Sequence, residues 1–437
     1  MDIRQQKQEA SDLRKQKQFD DALELYMDLW LNHRSDCNEW EGWGYATCLR
    51  KSGRVDEAIN VCREVYKIKP DFEAGNNLYA WCVYDTEIKK DIEQIKEDER
   101  IFIKAVESIF KLVKQDQYSP YTKAVFKVVE YLIEKKNIFP AKDIIEWLNK
   151  LNTDELSIEP FSFNDESGKR RELQSDKEKF YALKTKALLK AEKYQDCISL
   201  CEKALSDISK FHFNNDIWLK RRIALSKGHL GEKEQAVNEL KDLLNLKNEW
   251  FIQYEIAQLC YDLEDFDTAL NHAIDAALNF GKDEFKWELF QLMAKTLIAK
   301  NDIEYAKKHL ILAVKLRQER EWKITDQLTD MLTEMKINLT QSVSTKAIFK
   351  ELSGFWKDKK YSALPKCAGK VKTILKNGKA GFITSDIGKD YYFKIKSFSN
   401  KKNLLKKGLE VTFFIEKNFD PKKKIMSDAA VHIEMKQ

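Results

Sequence analysis

Gly369-Lys370-Val371-Lys372, Lys379-Ala380-Gly381-Phe382-Ile383-Thr384, Asp390-Tyr391-Tyr392-Phe393-Lys394-Ile395, Gly408-Leu409-Glu410-Val411-Thr412-Phe413 and Ser427-Asp428-Ala429-Ala430-Val431 succeed one another near the end of the chain. Each run is short, rich in β-branched and aromatic residues, and bounded by Gly, Asn or Asp, so each reads as a strand. Five strands in so short a span predict a small all-β barrel over residues 366–437. Side chains alternate along a strand. Phe382 therefore shares a face with Ala380, and Tyr392 shares one with Lys394. If the two strands are neighbours, Phe382 and Tyr392 form a small flat platform beside Lys394, and bases stack on such platforms for about 1–3 kcal/mol each.

This segment resembles a cold-shock domain, an OB-type barrel that binds single-stranded nucleic acid. The family opens on Gly-Lys-Val-Lys-Trp-Phe, continues with Lys-Gly-Phe-Gly-Phe-Ile and then has Asp-Val-Phe-Val-His-Phe. Residues 369–374 match the first strand with Thr373 where the family has Trp. Residues 378–383 match the second, with Ala380 in place of the first Phe and Phe382 kept. Residues 390–395 match the third, with Tyr392 for Phe and Lys394 for His. The resemblance implies a nucleic-acid site at Lys370, Lys372, Lys379, Phe382, Tyr392 and Lys394. Thr373 and Ala380 remove two aromatic positions that the family uses, so affinity for a bare oligonucleotide should fall below that of a full cold-shock protein.

Charge points the same way. Residues 366–437 hold 17 Lys and no Arg against 7 Asp plus Glu, a balance of +10. The whole chain carries +5, which leaves −5 for the remainder. A basic module on a neutral-to-acidic body is the footprint of polyanion binding. The competing reading is a solvated Lys-rich surface with Phe382 and Tyr392 merely half-buried. The coincidence of charge with the strand pattern favours nucleic acid.

The 437 residues allow two or three domains. Only 14 Gly and 6 Pro, with 34% charged residues, predict a mostly helical body. Residues 1–335 repeat with a period of roughly 33–40, the range of helical solenoids. Phe19-x-x-Ala22, Val55-x-x-Ala58, Ile138-x-x-Ala141, Tyr194-x-x-Cys197, Lys233-x-x-Ala236, Phe266-x-x-Ala269 and Ile303-x-x-Ala306 mark the units. Twelve residues before each final small residue stands Ala10, Ala46, Val129, Thr185, Ala224, Ala257 or Ala294. Small residues at these places let two antiparallel helices approach closely, and larger ones such as Tyr26, Leu29, Val65, Leu240 and Leu310 fill the space between pairs. With Gly53 and Gly231 in inter-helix turns and Pro70 after a second helix, this resembles the tetratricopeptide repeat. The expected fold is thus an α-solenoid of about eight tetratricopeptide-like hairpins over 1–335, a capping helix and linker over 336–365, and an OB-type five-stranded barrel over 366–437.

Three stretches interrupt the rhythm. The unit over 72–115 carries a charged insert at 89–100. Residues 156–179 break it as well: 160–168 read as a loop between repeats, and the basic Lys169-Arg170-Arg171 that follows as solvated loop in preference to a contact with a nucleic-acid backbone or a partner. Residues 322–349 read as helix capping the open end, and Lys357-Asp358-Lys359-Lys360 through Pro365 as linker. The tetratricopeptide resemblance implies a concave groove lined by first helices, with Trp40, Trp43, Thr47, Asn77, Arg221 and Arg222 facing a protein partner. Trp40 and Trp43 share a helix face; the alternative, that both pack between helices, is favoured by the average burial of Trp.

Catalytic and metal signatures are lacking. The eight Cys include no CxxC pair, and the six His (33, 212, 229, 272, 309 and 432) follow no metal-ligand spacing. There is no phosphate-binding loop, dinucleotide fingerprint or nucleophile elbow. Neither a signal peptide nor a membrane span is read, and free thiols fit a reducing cytoplasm. The expectation is a cytoplasmic, non-enzymatic adaptor without cofactor or metal. Its barrel binds single-stranded RNA, or less favourably DNA, and its repeats bind an unidentified protein. Two alternatives are a protein-only scaffold and a nucleic-acid-sensing regulator of a partner enzyme.

Overall fold

The computed structural model describes residues 2–135, 138–338, 344–362, 364–375, 378–420 and 425–436. The chain falls into two compact units, residues 1–226 and 227–437. Helical hairpins fill the first and open the second. The pairs in the first unit are Ile3–Lys15 with Phe19–Asn32, Glu39–Lys51 with Val55–Ile68, Glu73–Val83 with Glu99–Leu112, Tyr121–Lys135 with Ala141–Leu148, and Asp176–Lys190 with Tyr194–Asp207. The second unit holds Lys233–Leu246, then Trp250–Asp262 with Phe266–Leu278, and Trp287–Ala299 with Ile303–Glu319. Helix Asn215–His229 crosses the boundary. These are tetratricopeptide-like repeats, and the small-residue pattern accounts for their packing. All fourteen residues of the seven pairs twelve apart, from Ala10 and Ala22 to Ala294 and Ala306, are buried. A larger side chain there would push the helices of a pair apart.

Six of the hairpin turns share one geometry. Lys17, Gly53, Glu192, Gly231, Glu264 and Asn301 each stand two residues before a second helix with positive φ, from 59° to 102°. The residue after each donates its N–H back into the first helix, as Arg54 does to the Leu49 carbonyl and Asp302 to that of Leu297. This left-handed C-terminal cap satisfies carbonyls that the helix end would otherwise leave open. Glycine is the residue suited to it, yet only two of the six positions have one. That is why glycine spacing reveals so few of these turns.

Three expectations are corrected. The insert at 89–100 is not merely charged: Asp91 and Gln94 form a capping box on a short helix, Ile92–Glu97, which buries Ile92 and Ile95. The loop expected over 160–168 and the basic stretch over 169–171 are partly strand. Strands β1 (Phe161–Asn164) and β2 (Arg170–Leu173) pair antiparallel. Their turn is organised by Asp165, whose Oδ1 accepts from the Ser167 and Lys169 N–H groups. Lys357–Lys360 are helix rather than linker, the last turn of Thr345–Tyr361. Ile348, Leu352, Phe355 and Trp356 form its buried stripe at helical spacing, which the charged run conceals. Of the helix expected over 322–349, residues 339–343 lie outside the described residues; the remainder holds Asp326–Glu334 and the start of Thr345–Tyr361.

Within the apolar core, a buried polar contact helps fasten helix Thr345–Tyr361 to the repeats. His309 is fully buried. Its Nδ1 donates to the Tyr305 carbonyl at 2.7 Å, and its Nε2 accepts from the Trp356 indole N–H at 2.8 Å. Burial pushes the His309 pKa down from 6.5 to about 4. The unfolded chain therefore binds a proton across that interval which the folded chain refuses. The stability involved is present above pH 6.5 and is lost as pH falls toward 4, reaching about 3 kcal/mol. Urea unfolding at about pH 7 and about pH 4.5 should show the loss, and His309→Gln should shrink the difference between the two.

The chain ends in a closed five-stranded barrel of β3 (Cys367–Ile374), β4 (Ala380–Ser385), β5 (Asp390–Lys394), β6 (Glu410–Asp420) and β7 (Ile425–Met435). The order around it is β3-β4-β5-β7-β6, and β6 closes back on β3. All pairings are antiparallel except β5 with β7. This is an OB-type arrangement. Val371, Ile383, Phe393, Val411, Phe413 and Ile433 fill its interior. Gly381 permits the tight closure: a Cβ there would fall 2.5 Å from the Thr373 carbonyl oxygen and 2.7 Å from the Phe393 ring.

Candidate nucleic-acid interface

The register across β3, β4 and β5 places the candidate residues in rows on the outer face. A bulge between Val371 and Thr373 sets Thr373, not Lys372, opposite Phe382. Phe382 in turn pairs with Tyr392. Thr373, Phe382 and Tyr392 thus form one row across three strands. The position where the cold-shock pattern has Trp lies at the end of the same row. The rings of Phe382 and Tyr392 are 5.8 Å apart but inclined at 71°. They form an edge-to-face pair, not the flat platform expected from alternation alone. Tyr392 is 38% exposed and Phe382 half-buried. Lys394 stands in the next row opposite Ala380, exposed, with no ion-pair partner among the described residues.

The other lysines differ in their freedom. Lys370 pairs with Glu410 at 3.0 Å. Lys372 pairs with Asp390, whose carboxyl is held below its ordinary pKa by that contact and by the Thr384 hydroxyl. Lys379 is exposed in the approach to β4. The sequence reading, confined to strand residues, passed over the segment between β5 and β6. There Lys396, Lys401, Lys402, Lys406 and Lys407 are all exposed, and none has an ion-pair partner among the described residues. The doublets on either side of buried Leu405 are visible in the sequence as a lysine-rich run between strands.

One side of the barrel is covered. Tyr361, at the end of helix Thr345–Tyr361, stacks on Phe414 of β6 at 5.0 Å and on His432 of β7 at 5.1 Å. Lys360 bridges Asp275 in helix Phe266–Leu278 (2.7 Å) and Glu416 in β6 (3.0 Å). Burial opposes the charge on Lys360, but the two carboxylates outweigh it and hold the pKa above its ordinary value. Helices therefore cover β6 and β7, while the row through Phe382 and Tyr392 stays open.

In the first unit the candidate groove residues separate. Trp40 is 54% exposed and meets Trp43 and Phe72 edge-on at 5.8 and 4.7 Å. Trp43 is half-buried, with the Arg14 guanidinium 4.5 Å above it. The Thr47 hydroxyl donates to the Trp43 carbonyl. Asn77 is half-buried, and its Oδ1 is sealed without a hydrogen bond among the described residues. Arg221 is half-buried. Arg222 donates to the Thr185 hydroxyl at 3.1 Å, and burial lowers its pKa. Its guanidinium thus makes a contact between neighbouring hairpins.

Among the described residues no cluster of three or more His, Cys, Asp or Glu could hold a metal ion. Nor is any helix there long and apolar enough to cross a membrane. All eight cysteines are free. A family described as a domain of unknown function (DUF7017) matches residues 217–354. No curated protein matches the chain. Among solved structures it is similar to a tetratricopeptide repeat protein from Parabacteroides merdae, with 10% identity over 77% of this chain and 99% of that one, at a TM-score of 0.30. It is also similar to a signal transduction ATPase with numerous domains that carries a tetratricopeptide repeat sensor, from Pyrococcus horikoshii. There the identity is 15% over 78% of this chain and 53% of that one, at a TM-score of 0.41.

Proposed function

We propose that this protein is a non-enzymatic cytoplasmic adaptor. A cold-shock-like barrel, residues 366–437, binds single-stranded nucleic acid, and a helical-repeat body, residues 1–335, binds a protein partner. Residues 336–365 join the two. The observation that carries the reading is the open outer row of β4 and β5. Phe382 and Tyr392 are direct cross-strand partners there, beside a lysine-rich segment and Lys394, which has no ion-pair partner among the described residues, while the β6–β7 side of the barrel is packed on helices. Aromatic rings set in a basic surface suit splayed bases and their phosphates. RNA is favoured over DNA because single-stranded bases are the usual sequence target in RNA recognition. On the repeats, exposed Trp40 beside Trp43 is the candidate anchor for a protein partner.

The test is fluorescence anisotropy of labelled single-stranded RNA and DNA with the full chain in a salt series. Binding should weaken steeply with salt, by about 0.7 in log K per log salt for each phosphate neutralised. RNA should bind at least as tightly as DNA of the same sequence. A folded protein that binds neither near physiological salt would favour the protein-only scaffold, for which the pairing of Lys370 and Lys372 with acids is the supporting observation.

A further inference from the structure

A cleft of about 710 Å³ lies between the barrel and helix Phe266–Leu278 with the turn that follows it. Its charge is unbalanced in a specific way. Asp275 and Glu416 are its only carboxylates among the described lining residues, and Lys360 engages both. Lys357, Lys396 and Lys417 also line it, and none has an ion-pair partner among the described residues. Four lysines against two carboxylates leave a balance of +2. Phe280, also in the lining, is 85% exposed. A single exposed apolar side chain is ordinary on a protein surface; what distinguishes Phe280 is that its accessible ring lines the same cleft as these lysines.

The cleft lining begins close along the chain to the outer row of β4 and β5. Lys394 ends β5 on the open face, and Lys396, two residues on, is already in the cleft lining. Two residues span at most about 7 Å. A chain of phosphates crossing Phe382, Tyr392 and Lys394 thus meets Lys396 next, then the basic walls of the cleft. An acidic peptide would use the lysines but leave the solvated Phe280 unexplained. A single-stranded nucleic acid uses both, with phosphates on the lysines and a base on the ring.

We propose that this cleft is a second subsite for the same single-stranded nucleic acid, in which Lys357, Lys396 and Lys417 take the phosphate backbone and Phe280 stacks one base. The inference rests on the β4–β5 row being a nucleic-acid face, and it makes the helical body part of the binding surface. A short ligand fills only the barrel row, whereas a longer one runs on into the cleft.

The experiment uses the full chain and labelled oligouridines of about 5 and about 15 nucleotides, near the lower and upper limits of the site sizes of single OB barrels. Wild type is compared with the triple variant Lys357→Gln, Lys396→Gln and Lys417→Gln, with Phe280→Ala, and with the row variant Phe382→Ala plus Tyr392→Ala. The expected result is that the triple variant binds the long oligonucleotide at least about tenfold more weakly and lowers its salt slope by about 2. Phe280→Ala weakens the long one by about 5-fold or more. Binding of the short one is unchanged in both, and the row variant weakens both lengths. All the cleft substitutions are at exposed or half-buried positions, so the fold persists, and an unchanged melting temperature verifies it. Equal affinities and slopes for the long oligonucleotide in wild type and triple variant would overturn the second subsite while leaving the row intact, and would open the cleft to a protein ligand instead. Equal weakening of both lengths by the cleft variants would also overturn it. If the row variant leaves both lengths unaffected, the reading of the β4–β5 row fails, and the proposed extension fails with it.

Discussion

Removing Phe382 and Tyr392 together should weaken binding of single-stranded RNA by about 2–4 kcal/mol, some 30- to 700-fold. The figure follows from what two rings can do in this geometry. Each base stacked on an aromatic face contributes about 1–3 kcal/mol. With the rings inclined at 71°, they do not offer one continuous surface. One presents its face where the other presents its edge, so the combined effect belongs in the lower part of the additive range. Lys394 in the adjacent row and the lysines between β5 and β6 are untouched by the substitution, so the salt dependence should stay nearly constant while the affinity falls. That separates stacking from charge. The barrel should remain folded, because its core lies on the other face of these strands. The edge-to-face contact itself is worth about 0.5–1.5 kcal/mol, and a melting temperature will register its loss. Anisotropy titrations on the double variant check the prediction; full affinity in a folded double variant would remove the row from the site.

What was legible in the sequence follows from which interactions are local. The twelve-residue spacing of small residues encodes the contact between helices of one hairpin, and each of those positions is buried. Strand alternation likewise identified the barrel and the outward side of Phe382 and Tyr392. The missed features all depend on contacts remote in sequence or on turns of unusual composition. Lys17, Glu192 and Glu264 adopt the left-handed conformation of Gly53 and Gly231 because the following helix packs back and enforces it. The bulge at β3 that places Thr373 in the row of Phe382 has no local signature either. Nor does the covering of β6 and β7 by Tyr361 and Lys360, which decides which side of the barrel stays open. Nothing nearby in sequence announces Thr185 as the partner of Arg222, a residue expected to line the groove.

Trp356→Ala should be the most destabilising single substitution in the second unit, at about 3–5 kcal/mol. Trp356 is fully buried. Its ring lies parallel to that of Phe290 at 5.4 Å and edge-on to Phe349 at 5.4 Å. Its indole N–H makes the 2.8 Å hydrogen bond to His309. Truncation would open a large cavity and leave a buried imidazole nitrogen without its donor, and both consequences act on the same helix. Trp356→Phe largely separates them: it keeps an aromatic ring against Phe290 and leaves a much smaller void, so most of its cost should be the penalty of about 1–3 kcal/mol for one unsatisfied buried acceptor. The functional consequence follows from where the helix leads. Thr345–Tyr361 ends in Lys360 and Tyr361, the residues that hold β6 and β7 against helix Phe266–Leu278. Loosening it at Trp356 should loosen that contact while the barrel keeps its own closed core. Chemical denaturation followed by far-ultraviolet circular dichroism checks the stability loss. Hydrogen exchange should show increased opening of helix Thr345–Tyr361 before that of β3, β4 and β5. If the alanine variant unfolds as one cooperative unit with the barrel, the barrel depends on this helix for its fold and not only for its position.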